Sequence, residues 1–573
     1  MVSSYLQRRN LATGQVPADF AGEAQVGNAL LIERGHPVRQ GPRRRLRGGM
    51  AAAADEVYAF PWPLFAVLAV QTFLSMRLVW SNTAFVDEAT YIWAGRIELS
   101  HLISGTPVQP YPTYFSGAPV IYPLLAGVLD IAGGLAAVRV LSLAAMLGAT
   151  CMLWGTARDL FGRRAAACAT ALFAAIGSTQ FLGALATYDA MALFLMTLAA
   201  RLVVAARDRD DSKALMIVIG AVAALALANA TKYASALFDL VVIGLAVLIS
   251  PRGLKAGLGR GGLITVSTVG LIAVLLAIGG SWYVAGIEWT TLSRSAGEQP
   301  PALALTDAVR WIGIVLALAV LALPVAWWRD RPRLPLLTWL ALAGILAPAN
   351  QARIHTTVSL SKHVDFGAWF ACVAAGYAIA AITRVGRRRW LDVATTATAA
   401  VVIMVPAGAP GRAQASGFTQ SWPNSTQITA ELRVLAKAHP GTYLAEDYVV
   451  PGYYLQDQLS WQVWQSTWYF HYRVPGQDAC IGGSAATAIG NSASAAQATQ
   501  AFTQAVAHQY FALIILNFTD TRQLDEEIAR AIKRYATYHV IAILPYQASG
   551  IVGQYTIWAP VTVRKGVSHG ANC

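Results

Sequence analysis

The sequence predicts a polytopic α-helical membrane protein that ends in an extracytoplasmic α/β domain. Three observations carry that expectation. Of the 573 residues, 56% are hydrophobic and only 13% charged, with a mean hydropathy of +0.47; soluble chains carry about 25% charged residues. Apolar runs of membrane-crossing length recur from about residue 59 to residue 409. Beyond residue 410 the chain changes character, to short strand-like and amphipathic stretches.

The net charge of +13 is no argument for nucleic acid. Most of the positive residues sit in short clusters between apolar runs, as cytoplasmic loops do. Residues 1–57 are polar and basic, with "GPRRRLRGG" at 41–49, and read as a disordered cytoplasmic tail. They carry no signal-peptide pattern, and a start at Met50, close to the first run, is an alternative.

Residues 58–409 form the predicted transmembrane domain, with about eleven spans judged by length. They fall near 59–79, 136–157, 165–185, 188–206, 214–231, 234–250, 261–281, 306–328, 334–348, 365–383 and 391–409. The piece 118–134, with Pro119, Pro123 and Gly133–Gly134, reads as re-entrant or interfacial. Leaving it out of the count puts the linkers at 157–164, 206–213, 250–260, 329–333 and 383–389, all basic, on the cytoplasmic side with the tail. A full span at 118–134 would move those clusters outside.

That register puts the loop 80–135 outside, with the turn at Asp189, the connection at Lys232, the loop 282–305 and residues 350–367. Residues 410–573 also fall outside. There "GTYLAED", "YFALIILNF", "HVIAILPY" and "GQYTIWAP" read as strands, and 497–508 and 522–536 as helices. The aromatic stretch 460–473 is suited to a membrane surface or to sugar. Cys151, Cys168 and Cys372 lie in predicted spans as small apolar fillers. Cys480 and Cys573 share an oxidising compartment and are expected to pair. No CxxC or HxxxH spacing suggests a metal site, so no cofactor is indicated and metal dependence stays open.

The candidate chemistry lies on the outer rim. Asp87 and Glu88 open the amphipathic stretch "EATYIWAGRIELSHLI", and Asp189 opens a span beside Tyr188. Lys232, Arg353, Lys362 and His363 share that rim. Carboxylates can deprotonate a hydroxyl, and basic groups can hold a phosphate. Each residue also has a plainer reading. Asp87 and Glu88 could be first-turn acids, Asp189 an N-cap, Lys232 a snorkelling side chain and Lys362 a solvated loop lysine.

The order of these features resembles the GT-C glycosyltransferases, specifically the protein O-mannosyltransferase and lipid A aminoarabinose transferase superfamily (glycosyltransferase family 39-like). "DEATYIWAGR" (87–96) resembles that family's Asp-Glu motif and surface helix. Then come 117–143 with Arg139, "ATYDAMALFLMTLA" (186–199), "ANATKYASALF" (228–238) and "SLSKHVDFGAWFA" (359–371). The family's usual double Pro is absent as such.

The resemblance covers roughly residues 59–410. It implies a polyprenyl-phosphate sugar donor and an acceptor hydroxyl on a glycan, protein or lipid. Transfer would take place on the extracytoplasmic face of the cytoplasmic membrane, with inversion. It implies Asp87 as base, with Glu88 orienting Asp87 or binding acceptor, Asp189 beside them as a further catalytic acid, and Tyr91 and Tyr188 lining the substrate. Lys232 and Lys362 would meet the lipid phosphate, backed by His363, Arg353 and Arg139. The competing class is a transporter or lipid-linked sugar flippase with an external accessory domain. Internal repeats would mark it, and none is seen.

Overall fold

The computed structural model describes residues 61–113, 115–209, 212–292, 297–384, 389–475, 480–484 and 493–561. The expected tail 1–57 and Cys573 lie outside the described residues. Among the described residues, eight helices are long and apolar enough to cross a membrane, which makes this a multi-pass membrane protein. The first is α1 (Trp62–Val79). After it α2 (Val86–Ser104) begins, capped by its own Glu88, whose Oε2 accepts from the Phe85 backbone N–H at 2.8 Å.

Helix α3 (Tyr122–Phe161) is broken at Gly133 and at Gly134, where φ is 65°. A side chain would strain that conformation, so glycine permits the kink. The segment 118–134 therefore ends at a sharp break instead of continuing straight into the following span. Its half-helix lies directly against α2. A Cβ built on Gly95 would come within 1.7 Å of the Pro123 carbonyl oxygen. Backbone touches backbone there, and only glycine allows it.

The bundle continues through α4 (Arg163–Ala175), α5 (Gly177–Leu182), α6 (Tyr188–Ala205), α7 (Ser212–Thr231), α8 (Asp239–Leu248) and α9 (Leu254–Gly279). It closes with α10 (Pro301–Arg329), α11 (Leu334–Arg353), α12 (Leu360–Ile382) and α13 (Arg389–Thr419). The expected span at 165–185 is interrupted between α4 and α5. The one at 234–250 is a 3-10 turn, Tyr233–Phe238, leading into short α8. The run at 391–409 lies inside α13.

The basic linkers meet at one end of the bundle. Arg207 donates to the Asp159 carbonyl, Arg260 to the Arg207 carbonyl and Arg329 to that of Ala381, while Arg333 stacks over Phe161. The C-terminal domain sits at the other end.

That domain is a seven-stranded sheet in the order β4-β3-β2-β1-β5-β7-β6. Its strands are β1 (Thr442–Ala445), β2 (Trp464–Ser466), β3 (Tyr469–Arg473), β4 (Cys480–Ser484), β5 (Phe511–Leu516), β6 (Tyr538–Ala548) and β7 (Ile551–Pro560). β1 runs parallel to β2 and β5, and the remaining pairs are antiparallel. Each expected strand and helix of this region forms. The aromatic stretch 460–473, which carries no clear strand pattern in sequence, supplies β2 and β3.

The two sheet faces are covered differently. α16 (Ala493–Ala507) and α17 (Arg522–Tyr535) cover one face, around Leu444, Phe470, Ile514 and Trp558. The other face, with Tyr443, Trp464, Leu513 and Ile557, packs with α14 (Thr426–Ala438), α15 (Val449–Tyr454) and α2. The contact with α2 is close: a Cβ on Gly452 would collide with the Trp93 ring at 2.3 Å. Tyr453 Oη donates to Asp130 Oδ1 at 2.6 Å, and the Ala84 N–H donates to Tyr454 Oη at 2.8 Å. The domain is thus fastened to the helix that carries Asp87.

Candidate active site

Asp87 lies in the first turn of α2, where an acid is favoured by the helix dipole. Its Oδ2 accepts from the ammonium of Lys362, in the first turn of α12. Ser359 caps that helix in a left-handed conformation, with φ of 63°. The two partners are unequally covered: the Lys362 side chain is 7% exposed and that of Asp87 31%. The carboxylate is partly open, and its cation lies 5.8 Å from the centre of the Phe85 ring.

A second pair completes the site. Asp189, in the first turn of α6, accepts from Lys232, which follows the last residue of α7. Both are buried, and Lys232 sits 5.0 Å from the centre of the Tyr188 ring. Asp189 Oδ2 has no hydrogen-bond partner. An unsatisfied buried acceptor is costly, so this oxygen is suited to a donor group from a ligand.

Aromatic rings stand between the pairs. Tyr91 and Tyr188 lie 4.3 Å apart between ring centres, with Phe115 edge-on to Tyr91 at 5.4 Å. Burial, then Tyr188, Asp87 and Asp189, hold the Tyr91 phenol well above its usual range. It stays protonated and can donate. Tyr122 is a member of this cluster that sequence alone does not single out. Its ring is 6.4 Å from both tyrosines, and its buried hydroxyl lies beside that of Ser142. The only signal in the sequence is its place at the head of a segment already marked by proline and glycine.

One candidate is corrected. Arg139 is expected near phosphate, but all five of its N–H groups are taken. Nε and Nη2 donate to the two Glu88 oxygens at 2.8 and 2.6 Å. Nη1 donates to the carbonyls of Val79 and Asn82, and Nη2 also to that of Thr83. Nothing is left for a phosphate. Glu88 is fully buried and also accepts from the N–H groups of Phe85 and Ala186, which suits the orienting role expected of it. The pair is a bracket that fixes the start of α2, and with it Asp87.

His363 is half-buried beside Lys362, with Nδ1 3.0 Å from Gln351 Nε2. Arg353 is exposed and bonds Asn350 within its own turn. The structure does not join Arg353 to the ion pairs. Among the described residues, no three metal-ligating side chains gather.

Residues 116–278 match the family model described as dolichyl-phosphate-mannose-protein mannosyltransferase. Among solved structures the chain is similar to ArnT from Cupriavidus metallidurans bound to undecaprenyl phosphate. That likeness has a TM-score of 0.52 and 17% identity, covering 87% of this chain and 98% of that one. It is also similar to the oligosaccharyltransferase of Archaeoglobus fulgidus in its apo form, with a TM-score of 0.51 and 13% identity, over 86% of this chain and 74% of that one. The chain shares the fold of these two membrane proteins, and its residues 116–278 match the mannosyltransferase family model. No curated protein matches at a significant level.

Two lysines, each paired with an aspartate, suit a phosphate group. Each ammonium has three N–H groups and gives one to its aspartate. The others can meet a phosphate without either pair being broken.

Proposed function

We propose that this GT-C protein transfers a sugar, a hexose or a pentose, from a polyprenyl-phosphate donor to an acceptor hydroxyl, with inversion at C1. The observation that carries the reading is the pairing of Asp87 with Lys362 and of Asp189 with Lys232 around the Tyr91–Tyr188 stack. Polyprenyl phosphates are bound by two of the similar proteins: undecaprenyl phosphate by ArnT and a dolichol-phosphate by the archaeal enzyme.

In this reading Asp87, the more open carboxylate, takes the proton of the acceptor hydroxyl as its oxygen attacks C1. The C1–O bond to phosphate breaks, and the departing phosphate gathers charge. Lys362 and Lys232 meet that charge in a low-dielectric site, where fixed donors are most effective. Tyr91 and Tyr122 offer hydroxyl donors to the sugar, and Asp189 holds Lys232 in place. His363 and Arg353 are held in reserve for the phosphate.

The basic end of the bundle faces the cytoplasm by the positive-inside rule, so the site and the C-terminal domain lie outside the cytoplasmic membrane. The corresponding parts are the tail 1–57, the transmembrane domain 58–409 and the domain 410–573. The test is direct: reconstituted protein should release polyprenyl phosphate from a polyprenyl-phosphate sugar when the acceptor is supplied. A protein that moves the intact lipid-linked sugar across vesicles and never cleaves it is a transporter.

A further inference from the structure

The edge of the C-terminal sheet carries an aromatic strip that the chemistry above leaves unused. Along β3 the residues alternate. Phe470 and Tyr472 enter the core under α16, so Tyr469, His471 and Arg473 point to the opposite face. The register identifies that face. Ser466 shares parity with buried Trp464, which packs with the α2 side of the domain, and Tyr469 lies directly opposite Ser466. The strip therefore looks the same way as the face resting on the membrane domain, beyond the edge of its cover.

The strip is uncovered and chemically mixed. Tyr469 is 63% exposed, and Trp468, in the turn before it, 43%. His471 stands edge-on to Tyr469 at 4.8 Å. Opposite His471 the neighbouring strand offers Gly482, so no side chain fills the floor there. Arg473 is exposed at the far end. At the near end Trp464 is only 6% exposed, and its indole N–H has no partner.

We propose that this strip is a binding surface for the acceptor as a carbohydrate chain. It deepens the glycosyltransferase reading and rests on it. A sugar ring has an apolar C–H face and a rim of hydroxyls. Flat exposed rings with polar edges cover the first, and Arg473 and His471 can bond the second. A membrane interface accepts the same rings, so accessibility of the strip in a bilayer separates the two readings, while a peptide would be matched by the backbone of edge strand β4.

The strip is continuous with the interface that leads to the catalytic rim. Trp461, just before β2, donates from Nε1 to the Pro107 carbonyl in the loop following α2. From that loop, rings run from Tyr111 to Phe115 at 5.1 Å, to Tyr91 at 5.4 Å and to Tyr188 at 4.3 Å.

The experiment uses full-length protein in lipid nanodiscs with linear hexasaccharides of mannose, glucose or arabinose as probes. Saturation-transfer NMR should show contact with at least one. That contact should fall at least fivefold in Trp468→Ala/Tyr469→Ala, with an unchanged melting temperature. Arg473→Ala, a single exposed change, should weaken it at least twofold. No contact with any probe, or contact retained in these variants, overturns the proposal. So does a Tyr469→Cys variant labelled by a water-soluble maleimide in detergent but shielded in nanodiscs, because the strip would then face lipid. Wild-type protein that releases polyprenyl phosphate yet binds no hexasaccharide overturns the strip alone. Binding without any release leaves the strip and refutes the enzymatic reading.

Discussion

Arg139 and Glu88 form a two-pronged ion pair at 2.6 and 2.8 Å, both buried by the protein. The bond joins the second half of α3 to the first turn of α2, where Asp87 sits next to Glu88 in sequence. Removing one partner leaves the other charge buried and unpaired, which costs about 3–5 kcal/mol. Arg139→Met and Glu88→Gln should therefore lower yield and melting temperature before any effect on donor affinity can be read. A well-folded Arg139→Met protein with a raised KM for donor would return Arg139 to the phosphate site.

The two lysines should respond differently, because their acids are differently exposed. Asp87 is partly open, so Lys362→Ala leaves a carboxylate that water can reach, and the fold should survive with donor use lost. Asp189 is enclosed, so Lys232→Ala should also destabilise, by about 3–5 kcal/mol. Thermal melts alongside donor titrations separate the two. Equal melting losses in both variants would contradict the asymmetry.

In the C-terminal domain, burial and then the neighbouring Glu446 push the Asp525 carboxyl up to about 8. In the unfolded chain it titrates near 3.9. Between those values the folded domain holds a proton that the unfolded chain has released. Stability should thus fall as pH rises through that window, by about 1.4 kcal/mol per unit for one proton. Melting curves from pH 5 to 8 should show the fall, and Asp525→Asn should flatten it. A wild-type melting temperature that rises over that range is the opposite result.

Cys480 and Cys573 are expected to be joined, closing a loop over the end of the domain and restraining a terminus that would otherwise fray. Non-reducing peptide mapping should recover the linked pair. Two freely alkylated thiols there would rule it out.

The membrane helices were legible because hydrophobic runs of bilayer length are rare in chains that fold in water, and Gly133–Gly134 marked its own kink. The strands β5, β6 and β7 showed their apolar patterns in the same way. β2 and β3 did not, since Trp, Tyr and Phe crowd both faces of 460–473 and hide the alternation. At the site, residue types and sidedness were readable, while partners were not. Lys362 meets Asp87 from 275 residues away, and no local pattern records such a pairing. Arg139 was misread for the same reason. A buried arginine must have a partner, but sequence could not tell a distant carboxylate from a ligand phosphate.

The central claim is that Asp87 removes the acceptor proton, and Asp87→Asn tests it most directly. Asparagine keeps the shape and one acceptor oxygen but cannot take a proton. General-base assistance contributes about 10²–10⁴-fold, so transfer should fall by at least that lower factor. Expression, monodispersity and donor binding should persist. The measurement is the rate of polyprenyl phosphate release by purified Asp87→Asn protein beside wild type, with donor and acceptor saturating. A rate below about one hundredth of wild type is expected; a rate above about a tenth would show that Asp87 is not the base and pass that role to Asp189.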